Sequence, residues 1–206
     1  MEISVSLLKE SNIDEAIEKL NTTNASYFHL DVMDGNFVSN TSYSISQIKN
    51  MIKKCNKKID AHFMVNDPIY YLDKLKEEKI EYFTFHVELD DVESIINKVK
   101  ECNFKVGLAI KPNTNINVLN RYLDKIDLIL VMSVEPGYGG QKFLPSTISR
   151  LNDIKSLIGN RNIKLAVDGG INDDTIKLIS NIDIAVVGSY ITNNQDYQEQ
   201  LNKLLN

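Results

Sequence analysis

His29 and Asp31 stand two residues apart inside an apolar run, Tyr27-Phe28-His29-Leu30-Asp31-Val32. In an extended chain that spacing puts both side chains on one face. If they faced outward, a carboxylate would be buried under a covering helix, which is costly without a partner. The pair therefore reads as facing an interior. His62 lies in the run Ile59–Val65, and Asp168 closes the run Ile163–Val167. Two imidazoles and two carboxylates together suit one borderline divalent cation: Zn²⁺, Fe²⁺, Mn²⁺ or Co²⁺. The third histidine, His86, reads as a packing residue behind these four.

Glycine and methionine add two further signals. Six of the nine glycines (Gly137, Gly139, Gly140, Gly169, Gly170 and Gly188) directly follow three apolar runs late in the chain. Glycine there lets backbone N–H groups approach an anion closely, and the positive end of a following helix would add to them. With Ser189 they read as a phosphate cradle. Met33, Met64 and Met132 follow other runs and read as an apolar collar that keeps water from a reactive intermediate.

These residues need a frame that brings them together. Eight runs rich in Val, Ile, Leu and aromatic residues recur at Ile3–Leu8, Tyr27–Val32, Ile59–Val65, Tyr82–Val87, Lys105–Ile110, Leu128–Met132, Ile163–Val167 and Ile184–Val187. Amphipathic stretches with helical spacing lie between them, such as Ile13, Ile17 and Leu20 opposite Asp14, Glu15 and Glu18. A polar helix over 196–205 ends the series. Eight strand-then-helix units, at a pitch of roughly 25 residues, predict a parallel sheet with right-handed crossovers. Closure of eight strands gives a single α/β domain over 1–206, a (β/α)8 barrel of TIM type. At 206 residues the chain is near the lower limit of roughly 200 for that fold. The fold predicts functional groups at the C-terminal strand ends, with His29 ending its strand, and a phosphate held by the loops after strands 7 and 8.

Composition narrows the classes further. The chain is 43% hydrophobic and 25% charged, with a net charge of −5 and no basic stripe, so nucleic acid is not expected as a partner. No run approaches ~18 apolar residues, so no membrane span is expected. Met1 leads straight into an alternating segment beside Glu2, which is not the pattern of a signal peptide. Cys55 and Cys102 belong to no metal-type spacing and read as reduced thilols of a cytoplasmic protein.

The segment 28–35, Phe-His-Leu-Asp-Val-Met-Asp-Gly, resembles the signature of ribulose-phosphate 3-epimerases. So do Asp60-Ala61-His62-Phe63-Met64-Val65, the loop from Met132 to Phe143, Val167-Asp168-Gly169-Gly170-Ile171 and Gly107-Leu108-Ala109-Ile110-Lys111-Pro112. The matches keep the family's order and spacing across nearly the whole chain. The resemblance implies that His29, Asp31, His62 and Asp168 bind the metal, and that Asp31 and Asp168 form the acid/base pair. It places Ser6 near a sugar-phosphate substrate, and Met33, Met64 and Met132 in a methionine cap. His62, Gly137, Tyr138, Gly139, Gly140, Asp168, Gly169, Gly170, Gly188 and Ser189 fall at substrate- and phosphate-binding positions. It also implies a homo-oligomer working in the pentose phosphate pathway. Val5, Asn36, Ser39, Asn113 and Tyr190 depart from the family's usual residues, and bear on the loops after strands 1, 2 and 5.

The implied chemistry is a proton taken from one face of C3 and another returned to the opposite face. The enediolate between them would be stabilised by the cation. The nearest alternative is an epimerase of a hexulose 6-phosphate such as allulose 6-phosphate. A decarboxylating or aldol-cleaving barrel is disfavoured, because Asp31-Val32-Met33-Asp34 lacks the lysine of a D-x-K-x-x-D array. A non-catalytic phosphate-binding barrel would not need both aspartates.

Overall fold

The computed structural model describes residues 1–179 and 181–205. Eight parallel strands close in sequence order, with β8 returning to β1. They are β1 (Glu2–Ser6), β2 (Tyr27–Met33), β3 (Lys58–Met64), β4 (Tyr82–His86), β5 (Lys105–Ile110), β6 (Leu128–Met132), β7 (Lys164–Asp168) and β8 (Ile184–Val187).

The period-two alternation of each strand divides two cores. Phe28, Leu30 and Val32 of β2, with Phe63 of β3 and Phe83 and Phe85 of β4, face outward into the layer under the helices. Phe63 and Phe83 stack there at 4.0 Å, and full burial of one such ring contributes about 1.5–3 kcal/mol. Tyr27, Tyr82, Leu128, Leu130, Ala166, Ile184 and Val186 fill the barrel interior. His29, Asp31, Asp60, His62 and His86 share that inward parity, above the apolar plug.

The helices are α1 (Ile13–Asn21), α2 (Ile45–Lys54), α3 (Pro68–Leu75), α4 (Val92–Glu101), α5 (Thr147–Ile158), α6 (Ser189–Thr192) and α7 (Tyr197–Leu205). α2 begins with a capping box: Ser44 Oγ accepts from the Gln47 amide while Gln47 reaches back to the Ser44 amide. α3 starts with Asp67 as cap and Pro68 in its first turn, where the missing N–H costs nothing.

The expectation of eight α-helical crossovers is corrected at two places. β5 is followed by a 3₁₀ helix, Ile116–Arg121, and β7 by a single 3₁₀ turn, Ile176–Leu178. The segment after β5 carries Pro112 and four asparagines, poor helix material. The one after β7 forms that turn before β8 begins at Ile184. His29 is likewise not at a strand end: it is the third residue of the seven in β2.

Candidate active site

His29 and Asp31 project inward from β2, His62 from β3, and Asp168 from the last position of β7. One ligand atom from each lies within 4.8 Å of every other. His29 Nε2 stands 3.3 Å from Asp31 Oδ1 and 3.9 Å from Asp168 Oδ2. His62 Nδ1 stands 3.4 and 3.8 Å from the same two oxygens. Bonds of about 2.0–2.2 Å at tetrahedral angles separate donor atoms by about 3.4 Å, so these spacings fit the shell of one small cation.

The two imidazole nitrogens carry the test of fit. His29 Nε2 and His62 Nδ1 are fully buried and make no hydrogen bond, a costly state for polar atoms unless something else satisfies them. Both converge on the two carboxylates. Each ring is also held from behind. Asp60 Oδ2 accepts from His29 Nδ1 at 2.7 Å and from Ser4 Oγ at 2.9 Å. His62 Nε2 is 3.0 Å from His86 Nε2, and His86 Nδ1 is 3.1 Å from Glu88 Oε2. Such outer hydrogen bonds fix the tautomer and aim the free nitrogen of a ligating histidine.

The local charges divide the two aspartates. Burial pushes both carboxyls up, but His29 and His62 outweigh it at Asp31, whose pKa falls below the usual carboxylate range. Ser6 Oγ donates to Asp31 Oδ2 at 2.7 Å. At Asp168 burial wins, reinforced by the Asp31 charge, and its pKa rises to about 6. One carboxyl favours the ionised form, and its neighbour takes up a proton more readily than an ordinary carboxylate. The Ser133 hydroxyl fixes the backbone below by donating to the carbonyls of Asp168 at 2.7 Å and Gly169 at 2.6 Å.

A pocket opens above the cluster. Ser6, Asp31, Asp168, the three methionines Met33, Met64 and Met132, and the loops 137–141, 169–171 and 188–189 line it. The methionines are buried and are the last residues of their strands. The glycines anticipated as a cradle are all present, and Gly170 (φ +65°) shows why: a Cβ there would lie 2.3 Å from the Phe143 amide nitrogen. The expected helix end is weak, because α6 after Gly188-Ser189 is only one turn long.

One of the family departures, Ser39, helps to close the mouth. Ser39 Oγ and the exposed Tyr138 hydroxyl are 2.7 Å apart, and Asn40 Nδ2 donates to the Gly137 carbonyl at 2.8 Å. The loop after β2 is thereby tied to the loop after β6.

Asp60, Glu88, Ser133 and Lys9 belong to the site but were not singled out from the sequence. Asp60 carried a readable signal, since Asp60-Ala61-His62 is the same two-residue spacing as His29-Leu30-Asp31, in reverse. His86 stands behind the cluster as the sequence suggests, and its direct bond to His62 depends on the pairing of β3 with β4. Lys9 had no signal, because its reach to the loop after β6 depends on barrel closure. Cys55 and Cys102 are free and partly buried. No helix among the described residues is long and apolar enough to cross a membrane.

Comparison with known proteins supplies the family. The model of the ribulose-phosphate 3 epimerase family matches residues 2–192. Ribulose-phosphate 3-epimerase from Buchnera aphidicola subsp. Baizongia pistaciae is 39% identical over 204 residues, covering 91% of this chain and 86% of the relative. The protein of the same name from Aquifex aeolicus is 32% identical over 197 residues, with 93% and 89% covered. Among solved structures, 3-hexulose-6-phosphate synthase from Salmonella typhimurium superposes with a TM-score of 0.71 at 19% identity, covering 99% and 96%. Mycobacterium tuberculosis tryptophan synthase gives 0.72 at 11%, covering 98% and 90%. At such identities the structural likenesses speak for the barrel alone, while the sequence relatives speak for the family. The chain belongs to the ribulose-phosphate 3-epimerase family.

Proposed function

We propose that this enzyme interconverts D-ribulose 5-phosphate and D-xylulose 5-phosphate, a step of the pentose phosphate pathway, by proton transfer between C3 and the opposed carboxyls of Asp31 and Asp168. The observation that carries the reading is the divided pair itself. Two carboxyls from β2 and β7 meet in one cluster and both line the pocket, and their unlike proton affinities suit a two-base exchange.

His29, Asp31, His62 and Asp168 would hold a divalent cation. When bound, it supplies Lewis-acid stabilisation of the negative charge that develops on the C2 and C3 oxygens. The chain's own groups supply the proton movement. One carboxylate takes the C3 proton on its face, and the other carboxylic acid delivers a proton to the opposite face. The pair ends with its protonation exchanged, and no electrons are gained or lost. Ser6, bonded to Asp31, keeps that carboxylate oriented. The buried methionine collar excludes water, which would otherwise protonate the intermediate from either side.

The test is a turnover assay with ribulose 5-phosphate in deuterated water. The expected result is xylulose 5-phosphate carrying solvent deuterium at C3. Product without deuterium, or no turnover by protein shown to carry a metal, would overturn the reading. A rate on allulose 6-phosphate exceeding that on the pentulose would reassign the substrate.

A further inference from the structure

An acidic protein that takes a phosphate dianion into a pocket containing Asp31, Glu135 and Asp168 binds it better with positive charge at the phosphate end. The helix after β8 is one turn long and supplies little of it. Lys9, three residues beyond β1, is the one cation among the described residues that line this pocket.

Its side chain is placed by packing. The Lys9 stem lies over the loop after β6, where an added Cβ at Gly139 would meet Lys9 Cε at 3.3 Å. At Gly140, with φ +76°, an added Cβ would fall 2.1 Å from Lys9 Nζ. Glycine at 140 therefore leaves the space that the ammonium occupies. Eight other lysines each meet a carboxylate within 4 Å. Lys9 meets none among the described residues, so its charge is free for a ligand. The loops after β1, β6, β7 and β8 adjoin one another around the barrel. Lys9 thus projects over the same arc that carries the glycine cradle.

We propose that Lys9 is a substrate-binding residue whose ammonium pairs with the phosphate of the sugar, adding a charge contact to the backbone cradle. The proposal rests on the sugar-phosphate reading of the site. Lys9 is exposed, so the pairing is open to screening by salt. It acts on binding rather than on C3, because the phosphate is carried on C5 and is not a reacting group.

Lys9→Met keeps the packed stem and removes the charge. The expected result is a KM for ribulose 5-phosphate about ten-fold higher, the scale of one charged hydrogen bond, with kcat within about two-fold. Inhibition by inorganic phosphate should weaken in parallel, and Lys9→Arg should recover most of both. The wild-type KM should rise with ionic strength more steeply than that of Lys9→Met. Unchanged KM and phosphate inhibition in Lys9→Met would overturn the proposal, as would a loss confined to kcat. If ribulose 5-phosphate is not turned over at all, phosphate binding measured by calorimetry separates the two ideas. Weaker binding by Lys9→Met then upholds the lysine's role while the pentulose reading fails; equal binding overturns the lysine's role as well.

Discussion

His86 Nε2 lies 3.0 Å from His62 Nε2, and both rings are completely buried. Burial drives the His86 pKa down to about 4, so its ring is neutral and has one nitrogen that donates and one that accepts. Glu88 settles which is which. Against the upward push of burial, hydrogen bonds from His86, Thr114 and the Lys111 amide hold this carboxylate at about 2. It accepts from His86 Nδ1, leaving His86 Nε2 to accept from His62 Nε2–H. The unprotonated Nδ1 of His62 then points at Asp31 and Asp168. Three residues in series thus decide which nitrogen of His62 faces the two aspartates.

His86→Phe keeps the ring volume and removes the acceptor. Metal affinity, measured by competition with a chelating dye, should fall about 10–100-fold while the fold persists by circular dichroism. His86→Gln, which retains an acceptor, should recover part of the loss. Equal affinities in all three proteins would exclude the relay.

Metal loading should release protons. The Asp31 and Asp60 carboxylates outweigh burial and raise the proton affinity of His29 well above that of a free imidazole. A cation must displace that proton, so affinity falls as pH falls. Calorimetric titrations in buffers of different ionisation enthalpy should give different apparent heats. Identical heats would mean that no proton leaves.

Exhaustive chelation should abolish epimerisation, and a divalent ion should restore it. Thermal stability should move in step, because an ion bound only by the native state adds about 2.7 kcal/mol at a hundred times its Kd. A chelated protein with full activity and unchanged Tm would contradict the assignment of the four ligands.

Asp31→Asn and Asp168→Asn, each assayed with saturating metal, should lower kcat at least 10²–10⁴-fold. Each variant keeps one base. It should still exchange the C3 proton of one epimer with solvent faster than it forms the other epimer. Comparable exchange from both epimers in either variant would rule out one base per face.

Gly170→Ala should destabilise the protein by about 1 kcal/mol or more, because φ is positive there and the new methyl meets the Phe143 amide. For a chain of this size that lowers Tm by roughly 2–4 °C or more. The displaced loop after β6 should also raise KM. A stable variant with unaltered KM would show that the two loops are not interlocked.

The barrel and the inward-facing pair His29 and Asp31 are legible because both rest on short-range periodicity, and the strand count brings His62 and Asp168 to them. His29-Leu30-Asp31 tells its own face, and eight apolar runs tell the topology. What stayed hidden depends on contacts across the closed sheet. Asp60 reaches His29 only because β2 and β3 pair with His29 opposite Asp60. Helix α2 was less conspicuous than its neighbours, although Ser44 and Gln47 form a capping box and Ile48, Met51 and Ile52 its buried face. The spacing of Ile176 and Ile179 is helical, and the structure places a single 3₁₀ turn there, Ile176–Leu178.

β1 and β8 pair along the seam where the two ends of the barrel meet, from Glu2 opposite Ile184 to Val5 opposite Val187. His29, Asp31 and His62 lie on one side of that seam and Asp168 on the other. An ion shared by them would be a clasp as well as a reagent. Early and late thirds of the chain would both have to fold before it could fasten, and once fastened it would resist the barrel's opening at its first and last strands.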